Sequence, residues 1–132
     1  MKISIDTNIL ARLVLQDEPK QAKIASELLR TANFVAIPLP CLCELVWILK
    51  SKTKLSNEEI ISILENILEV QKFALNRPAV EAGLKLLKIG GDFADGVMEY
   101  EGSSLGGETF YSFDKKAIRL LKEQGKNVQL LD

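Results

Sequence analysis

The sequence contains no histidine, and this absence removes two classes of enzyme from consideration. A Ser-His-Asp hydrolase and a metal-independent histidine ribonuclease both require an imidazole for proton transfer. No Gly-x-x-x-x-Gly-Lys segment occurs either, so a P-loop that cradles nucleotide phosphates has no support. Carboxylates are the most informative functional groups that remain.

Cysteine is also scarce. Cys41 and Cys43 are the only two, and their spacing within a helical pattern suits neither a disulfide framework nor CxxC redox or zinc chemistry. We expect both to be small buried apolar residues in a reducing compartment. The segment Met1–Ile5 enters a strand pattern directly, without the layout of a signal peptide, so we expect a cytoplasmic protein.

Long apolar runs are missing as well. None reaches the roughly 18 residues of a membrane-spanning helix, so no membrane association is expected. Hydrophobic residues still make up 47% of the chain. We attribute this content to the core of a single domain over 1–132 and to a surface that binds a partner. The net charge of −1 gives no overall attraction to nucleic acid, so such contact would need a local basic face.

The apolar pattern alternates between strand and helix periods. Strands are predicted at Lys2–Asp6, Phe34–Ile37, Phe73–Leu75, Thr109–Phe113 and Val128–Leu131. Helices are predicted at Thr7–Leu15, Lys20–Ala32 (with Pro19 in the first position), Cys41–Lys52, from a Ser56/Glu59 capping box to Leu68, at Pro78–Ile89, Phe93–Tyr100 and Lys115–Gln124, with a turn-rich loop at Gly102–Gly107. This alternation predicts an α/β fold with a mainly parallel sheet covered by helices on both faces.

Four acids stand out against this pattern: Asp6, Glu44, Asp95 and Asp114. Asp6 and Asp114 lie at the carboxyl ends of predicted strands, where ligands bind in parallel sheets. We expect the four to converge in the folded chain. Because clustered carboxylates repel one another, a cation must compensate, and oxygen ligands suit Mg²⁺ or Mn²⁺.

Each acid also has a purely structural interpretation. Asp6 and Asp114 each precede a helix and would serve as N-caps, as would one of Asp92 and Asp95. Glu44 has no cation three or four residues away and lies among apolar residues, so a buried carboxylate that needs neutralisation is favoured over a solvent-facing one. For Trp47, a core position is favoured over a base-stacking platform, and a partner-facing aromatic stays open as an alternative.

At these residues the sequence resembles the PIN-domain ribonucleases, and among them the VapC-type toxins of toxin–antitoxin pairs. Ile5-Asp6-Thr7-Asn8 resembles the family's strand-ending D-T-N, and Glu44 occupies its acidic position on the helix after strand two. Asp92-Phe93-Ala94-Asp95 resembles D-F-x-D, and Ser112-Phe113-Asp114 resembles T-F-D. The segment 96–104 departs from the Ala-, Ile- and Leu-rich helix that usually follows.

The resemblance implies a three-layer PIN-like fold with a central sheet flanked by helices, and a metal-dependent endoribonuclease that acts on structured RNA. Asp6, Glu44, Asp95 and Asp114 would then be the catalytic and metal-binding residues. Supporting roles fall to Asn8, Ser112 and Asp92. A small antitoxin protein and a second copy of the chain, forming a homodimer, are the expected protein partners. Lys115 and Lys116, next to Asp114, are placed to meet an RNA backbone.

Several alternatives stay open at this point. A signalling receiver domain also gathers acids around Mg²⁺, but it needs paired acids after its first strand, where this chain has Asp6-Thr7-Asn8. A non-catalytic nucleic-acid- or protein-binding module could use the same fold. A nuclease of RNA processing, rather than a toxin, would carry the same acids.

Overall fold

The computed structural model describes all 132 residues as seven helices and five short strands. The helices are α1 (Thr7–Leu15), α2 (Pro19–Thr31), α3 (Leu39–Lys52), α4 (Asn57–Glu69), α5 (Arg77–Lys88), α6 (Phe93–Ser104) and α7 (Lys115–Glu123). The strands are β1 (Lys2–Ser4), β2 (Phe34–Ala36), β3 (Phe73–Ala74), β4 (Phe110–Ser112) and β5 (Val128–Leu130). The chain divides into two compact units, Met1–Arg77 and Pro78–Asp132.

The first unit contains a parallel three-stranded sheet in the order β1-β2-β3. Val35 is fully buried in the middle strand, opposite Ile3 on one side and Phe73 on the other. The helix pairs α1–α2 and α3–α4 connect successive strands, as parallel pairing requires. Their inward residues form an apolar core that includes Leu10, Leu42, Leu45, Leu49, Ile60 and Leu64.

Local signals set the helix boundaries in this unit. Gln16 ends α1 in the left-handed conformation, with φ of 54°, and its side-chain amide donates to the carbonyl oxygens of Arg12 and Leu13. Pro19 occupies the first turn of α2, where its missing N–H costs nothing. Ser56 and Glu59 form the predicted capping box of α4, with hydrogen bonds of 3.1 and 3.0 Å.

The second unit contains a parallel two-stranded sheet, β4-β5, whose connection is α7. Leu120 and Leu121 on α7 pack with Leu86 of α5, and Phe110 and Val128 lie against this cluster. The helices α5 and α6 approach closely. A Cβ added at Gly96 would lie 2.7 Å from the carbonyl oxygen of Ala82, so this crossing requires the glycine.

The predicted α/β fold with parallel strands is confirmed, and the strands pair in two sheets. Most predicted boundaries hold within two residues. The turn-rich loop predicted at Gly102–Gly107 is wrong over its first residues, because α6 continues to Ser104. Leu105 N donates to the Glu101 carbonyl, and the turn falls at Gly106, with φ of 112°. No helix combines the length and the apolar character that crossing a bilayer requires.

Candidate active site

Asp6 lies just beyond the carboxyl end of β1 and starts α1. Its backbone is extended, and its Oδ1 accepts a hydrogen bond of 3.0 Å from Ile9 N, so the N-cap interpretation is correct for this residue. The cap uses only one carboxylate oxygen, and the side chain is exposed. Capping therefore fixes the position of Asp6 and leaves its second oxygen available to a ligand.

Glu44 lies on the solvent-facing side of α3, so the prediction of a buried carboxylate is wrong. The buried residues of this helix are Cys41, Leu42, Leu45, Val46 and Leu49, which leaves positions 44 and 47 on the opposite stripe. The core position predicted for Trp47 is also wrong, since Trp47 is 61% exposed and Lys52 Nζ lies 5.4 Å from its ring centroid. The Glu44 carboxylate is exposed to water and therefore carries no desolvation penalty.

Asp6 and Glu44 act on the same buried group, the thiol of Cys41. Burial raises the pKa of Cys41, a side-chain hydrogen bond with Thr7 opposes that rise, and the charges of Asp6 and Glu44 add to it. Neither cysteine forms a disulfide. Cys41 is buried as predicted, whereas Cys43 is only partly buried, so the prediction is wrong for Cys43. The first unit thus brings two of the four predicted acids into one electrostatic neighbourhood.

The second unit places three aspartates at helix starts. Asp92 is the N-cap of α6, accepting 3.3 Å from Ala94 N, and Asp95 lies in the first turn of that helix. Asp114 follows β4 and is the N-cap of α7, accepting 3.0 Å from Ala117 N. Ser112 Oγ accepts a 3.0 Å hydrogen bond from Asp114 N, which fixes the backbone at the strand end.

Burial and neighbouring charges both shift the pKa of the half-buried Asp95. Burial raises the pKa of Asp95, and the negative charges of Asp92 and Asp114 raise it further. A nearby cation would reverse this effect, because it favours the ionised form. Within each unit, no group of three or more carboxylate or thiol side chains is arranged to hold a metal ion.

The donor set fits a hard divalent cation. Mg²⁺ binds through one or two carboxylates and keeps several waters, so a pair of acids is enough to hold it. Carboxylate oxygens from Asp6 and Glu44, or from Asp95 and Asp114, are ligands of the required type.

Two charged residues of note were not predicted from the sequence. Arg12 lies one helical turn after Asn8, a spacing that places the two on one face of α1 and could have revealed it. Glu99, only 8% exposed, faces Lys126 at 3.8 Å beside a cavity of about 400 Å³. No local pattern could have revealed this pair, because its members lie on separate elements.

Comparison with known proteins identifies a family. The family model of the PIN domain matches residues 3–120, a range that runs through both units. All of the predicted site residues, from Asp6 to Asp114, fall within the match. No curated protein matches the sequence.

Proposed function

The chain belongs to the PIN-domain family, whose members are generally nucleases that act on RNA with divalent metal ions, and we propose that it is an Mg²⁺- or Mn²⁺-dependent endoribonuclease. One observation carries the proposal. Each unit of the matched range holds a pair of predicted acids. In the first unit the charges of Asp6 and Glu44 both raise the pKa of Cys41, and in the second the charge of Asp114 raises the pKa of Asp95. In each pair one acid follows the end of a parallel strand.

We assign divalent-metal binding to four carboxylates, those of Asp6 and Glu44 in the first unit and those of Asp95 and Asp114 in the second. A bound divalent ion would lower the pKa of a water molecule and neutralise charge on the phosphoryl oxygens. Asp6 and Asp114 present a second oxygen from a position that their cap hydrogen bonds hold. Glu44, exposed and long, is suited to orient the attacking water.

Three further residues support these acids. Ser112 holds the backbone of Asp114 through its hydroxyl, and Asp92 caps the helix on which Asp95 lies. Asn8, exposed on the first turn of α1, has an amide that can bind a water or a phosphate oxygen. These contacts orient the ligands, which is the role that outer hydrogen bonds have in metal sites.

Lys115 and Lys116 supply a local basic face. They are the first two residues of α7, where the helix dipole disfavours positive charge, and no acid lies in that first turn. Both side chains are exposed. Helix stability gives no reason for lysines here, whereas a phosphate backbone beside Asp114 would meet them favourably.

The test uses Asp6→Asn and Asp114→Asn. Asparagine caps helices as well as aspartate does, so both variants should fold normally while losing the carboxylate. We expect Mg²⁺- or Mn²⁺-dependent cleavage of labelled RNA to be lost in both. Glu27→Gln is the matched control, because it removes one exposed charge from α2 that pairs with Arg30 instead. Full cleavage in EDTA, or undiminished cleavage by both variants, would refute the assignment.

We further propose that the protein is the toxin of a toxin–antitoxin pair, that it acts in the cytoplasm and that it forms a homodimer. Large exposed apolar side chains support partner surfaces, among them Trp47, Leu105 and Phe113, which are 61%, 89% and 76% exposed. Induced expression should arrest growth, and co-expression of the neighbouring small gene product should relieve the arrest. A strict monomer in light scattering would contradict the dimer, and absence of growth arrest would favour RNA processing.

A non-catalytic nucleic-acid-binding module is the second candidate. It is favoured by the exposure of Glu44 and by the lack, within either unit, of three acids arranged to hold a metal ion. The cleavage assay separates the two candidates, because a binding module would retain RNA without shortening it at any divalent-ion concentration.

A further inference from the structure

A groove between α1 and α2 contains one of the proposed metal ligands. Asp6, Asn8 and Arg12 line it from the side of α1, and Ile24, Ala25 and Leu28 are among the residues that line it from α2. The cavity has a volume of about 260 Å³ and belongs entirely to the first unit. We refer to it as the α1–α2 groove.

We propose that the α1–α2 groove binds the nucleotide next to the scissile phosphate, with the Arg12 guanidinium on its phosphate group. This inference deepens the proposed nuclease function and rests on it for the identity of the nucleic acid. The groove itself is defined by the structure: Asp6 and Asn8 lie at the start of α1, and Arg12 lies one turn further along the same helix.

Arg12 carries hydrogen-bonding capacity that the protein does not use. Its Nε is buried and makes no hydrogen bond, although the side chain as a whole is 24% exposed. A buried donor without a partner is destabilising, so a ligand that supplies an acceptor to the Arg12 guanidinium binds more favourably than one that does not. The guanidinium fork matches a phosphate group in two parallel hydrogen bonds.

The acid that faces Arg12 holds it loosely. Arg12 Nη2 lies 3.5 Å from Asp17 Oδ1, which is longer than a strong charge-assisted hydrogen bond, and the Asp17 side chain is 53% exposed. Such an exposed pair contributes little to stability. A phosphate can therefore displace Asp17 from Arg12 at low cost.

The remaining walls of the groove suit a nucleobase. Ile24 is 62% exposed and Leu28 is partly exposed, so these two side chains of α2 give the groove an apolar surface, and Ala25 is buried beside them. Flat base faces pack well on apolar side chains, and Gln21 adds an amide for a base edge. The volume of about 260 Å³ lies just below the range typical of small-molecule pockets, so the groove has room for no more than one nucleotide unit.

Arg12 makes the groove compatible with RNA despite the negative charge of Asp6. A phosphodiester that approaches Asp6 meets repulsion from the carboxylate, and a cation of the chain must offset it. Arg12 is the cation that lines the same groove as Asp6. An apolar protein helix would bury Arg12 and Asp6 together without an acceptor for Nε.

The experiment measures binding of a fluorescent single-stranded RNA by anisotropy as a function of salt. It uses the full chain carrying Asp114→Asn, which prevents cleavage. Arg12→Gln should weaken binding at least tenfold and should lower the slope of log affinity against log salt by about 0.7, the loss expected for one phosphate contact on a single strand. Arg12→Lys should restore most of the slope and only part of the affinity.

Arg30→Gln is the matched control. Arg30 lies on α2 in the same unit, pairs with Glu27 and is 70% exposed, so the variant removes the same charge without touching the groove. We expect it to leave the salt slope unchanged. An Arg12→Gln protein that folds and keeps the wild-type slope would overturn the proposal.

A second pair of variants covers the case in which Arg12→Gln fails to fold. Asp17→Asn releases Arg12 and should strengthen RNA binding by more than Glu27→Gln, which removes an equally exposed charge from Arg30. Equal effects of the two variants would overturn the proposal. Retained RNA binding by Arg12→Gln together with lost binding of a co-expressed small protein would also overturn it, and would identify the groove as a protein-docking surface.

The outcomes separate this proposal from the proposed function. Wild-type cleavage with Arg12-independent binding would refute the groove alone. Arg12-dependent binding without any metal-dependent cleavage would refute the nuclease and leave the groove as an RNA-binding site.

Discussion

Asp114 has two roles that substitution can separate, because it is both the N-cap of α7 and a proposed metal ligand. Its Oδ1 accepts the hydrogen bond from Ala117 N at 3.0 Å, and alanine would remove that bond at a cost of about 1 kcal/mol. The first turn of α7 contains two lysines and no acid, so loss of the only negative charge costs about 0.5 kcal/mol more. Asp114→Ala should therefore lower the free energy of unfolding by about 1.5 kcal/mol.

Asp114→Asn keeps the cap hydrogen bond and loses only the charge. Its free energy of unfolding should fall by about 0.5 kcal/mol. For a chain of this length these values correspond to drops in melting temperature of about 5 °C for alanine and about 2 °C for asparagine. Both variants should lose RNA cleavage completely, since each removes the carboxylate.

Ser56→Ala is the control that separates stability from activity. Ser56 caps α4 through a 3.1 Å hydrogen bond from Glu59 N, so its loss should cost about 1 kcal/mol and leave cleavage intact. Circular dichroism melts and a gel-based RNA assay supply the two readouts. Equal destabilisation by alanine and asparagine would refute the capping argument, and cleavage by Asp114→Asn would refute the ligand assignment.

Three further results are expected. The pKa of Asp95 is raised in the folded chain. Its favourable contribution to the free energy of unfolding is therefore present at low pH and is lost as the pH rises through the raised pKa. Asp95→Asn should therefore raise the melting temperature at pH 7 but not at a pH below the ordinary aspartate pKa. The variant should also be stabilised less by millimolar Mg²⁺ than the wild type. Melting temperatures that are unchanged at both pH values would contradict this. Lys126→Gln should lower the free energy of unfolding by about 1–2 kcal/mol, because it leaves the buried Glu99 without its cation. In urea melts, the double variant with Glu99→Gln should recover part of that loss. Purely additive effects of the two substitutions would speak against the pair. Gly96→Ala should destabilise by about 1–3 kcal/mol despite the better helix former, because its Cβ would meet the Ala82 carbonyl; a stabilised variant would show that the helices separate easily.

The residues that cap and end the helices were predictable from the sequence. Asp6, Asp92 and Asp114 all cap helices, and the Ser56 capping box and Pro19 lie where the pattern placed them. Each of these features depends on hydrogen bonds or backbone angles within four residues. A sequence window of that size contains both partners, so the interaction can be anticipated without knowledge of the fold.

The predictions for α6 and for Glu44 were wrong because they used only neighbours in the sequence, whereas the packing of whole helices decides both features. The sequence predicted that α6 ends at Tyr100, before a loop that begins at Gly102, yet the helix continues to Ser104 and its Gly96 is required by the close crossing with α5. Glu44 was expected to be buried because its sequence neighbours are apolar. On the helix, however, those neighbours face inward and Glu44 does not.

The sequence by itself determined the α/β class, the parallel strands, most helix ends and the identity of the acids, because these depend on periodicity and on residue type. Only the tertiary structure decided the division of the strands into two sheets and the fact that the charges of Asp6 and Glu44 both raise the pKa of Cys41. It also decided the pairing of Glu99 with Lys126 and the unsatisfied Nε of Arg12. These features join residues on different elements, and their burial and distance depend on how whole helices pack, which no local window contains.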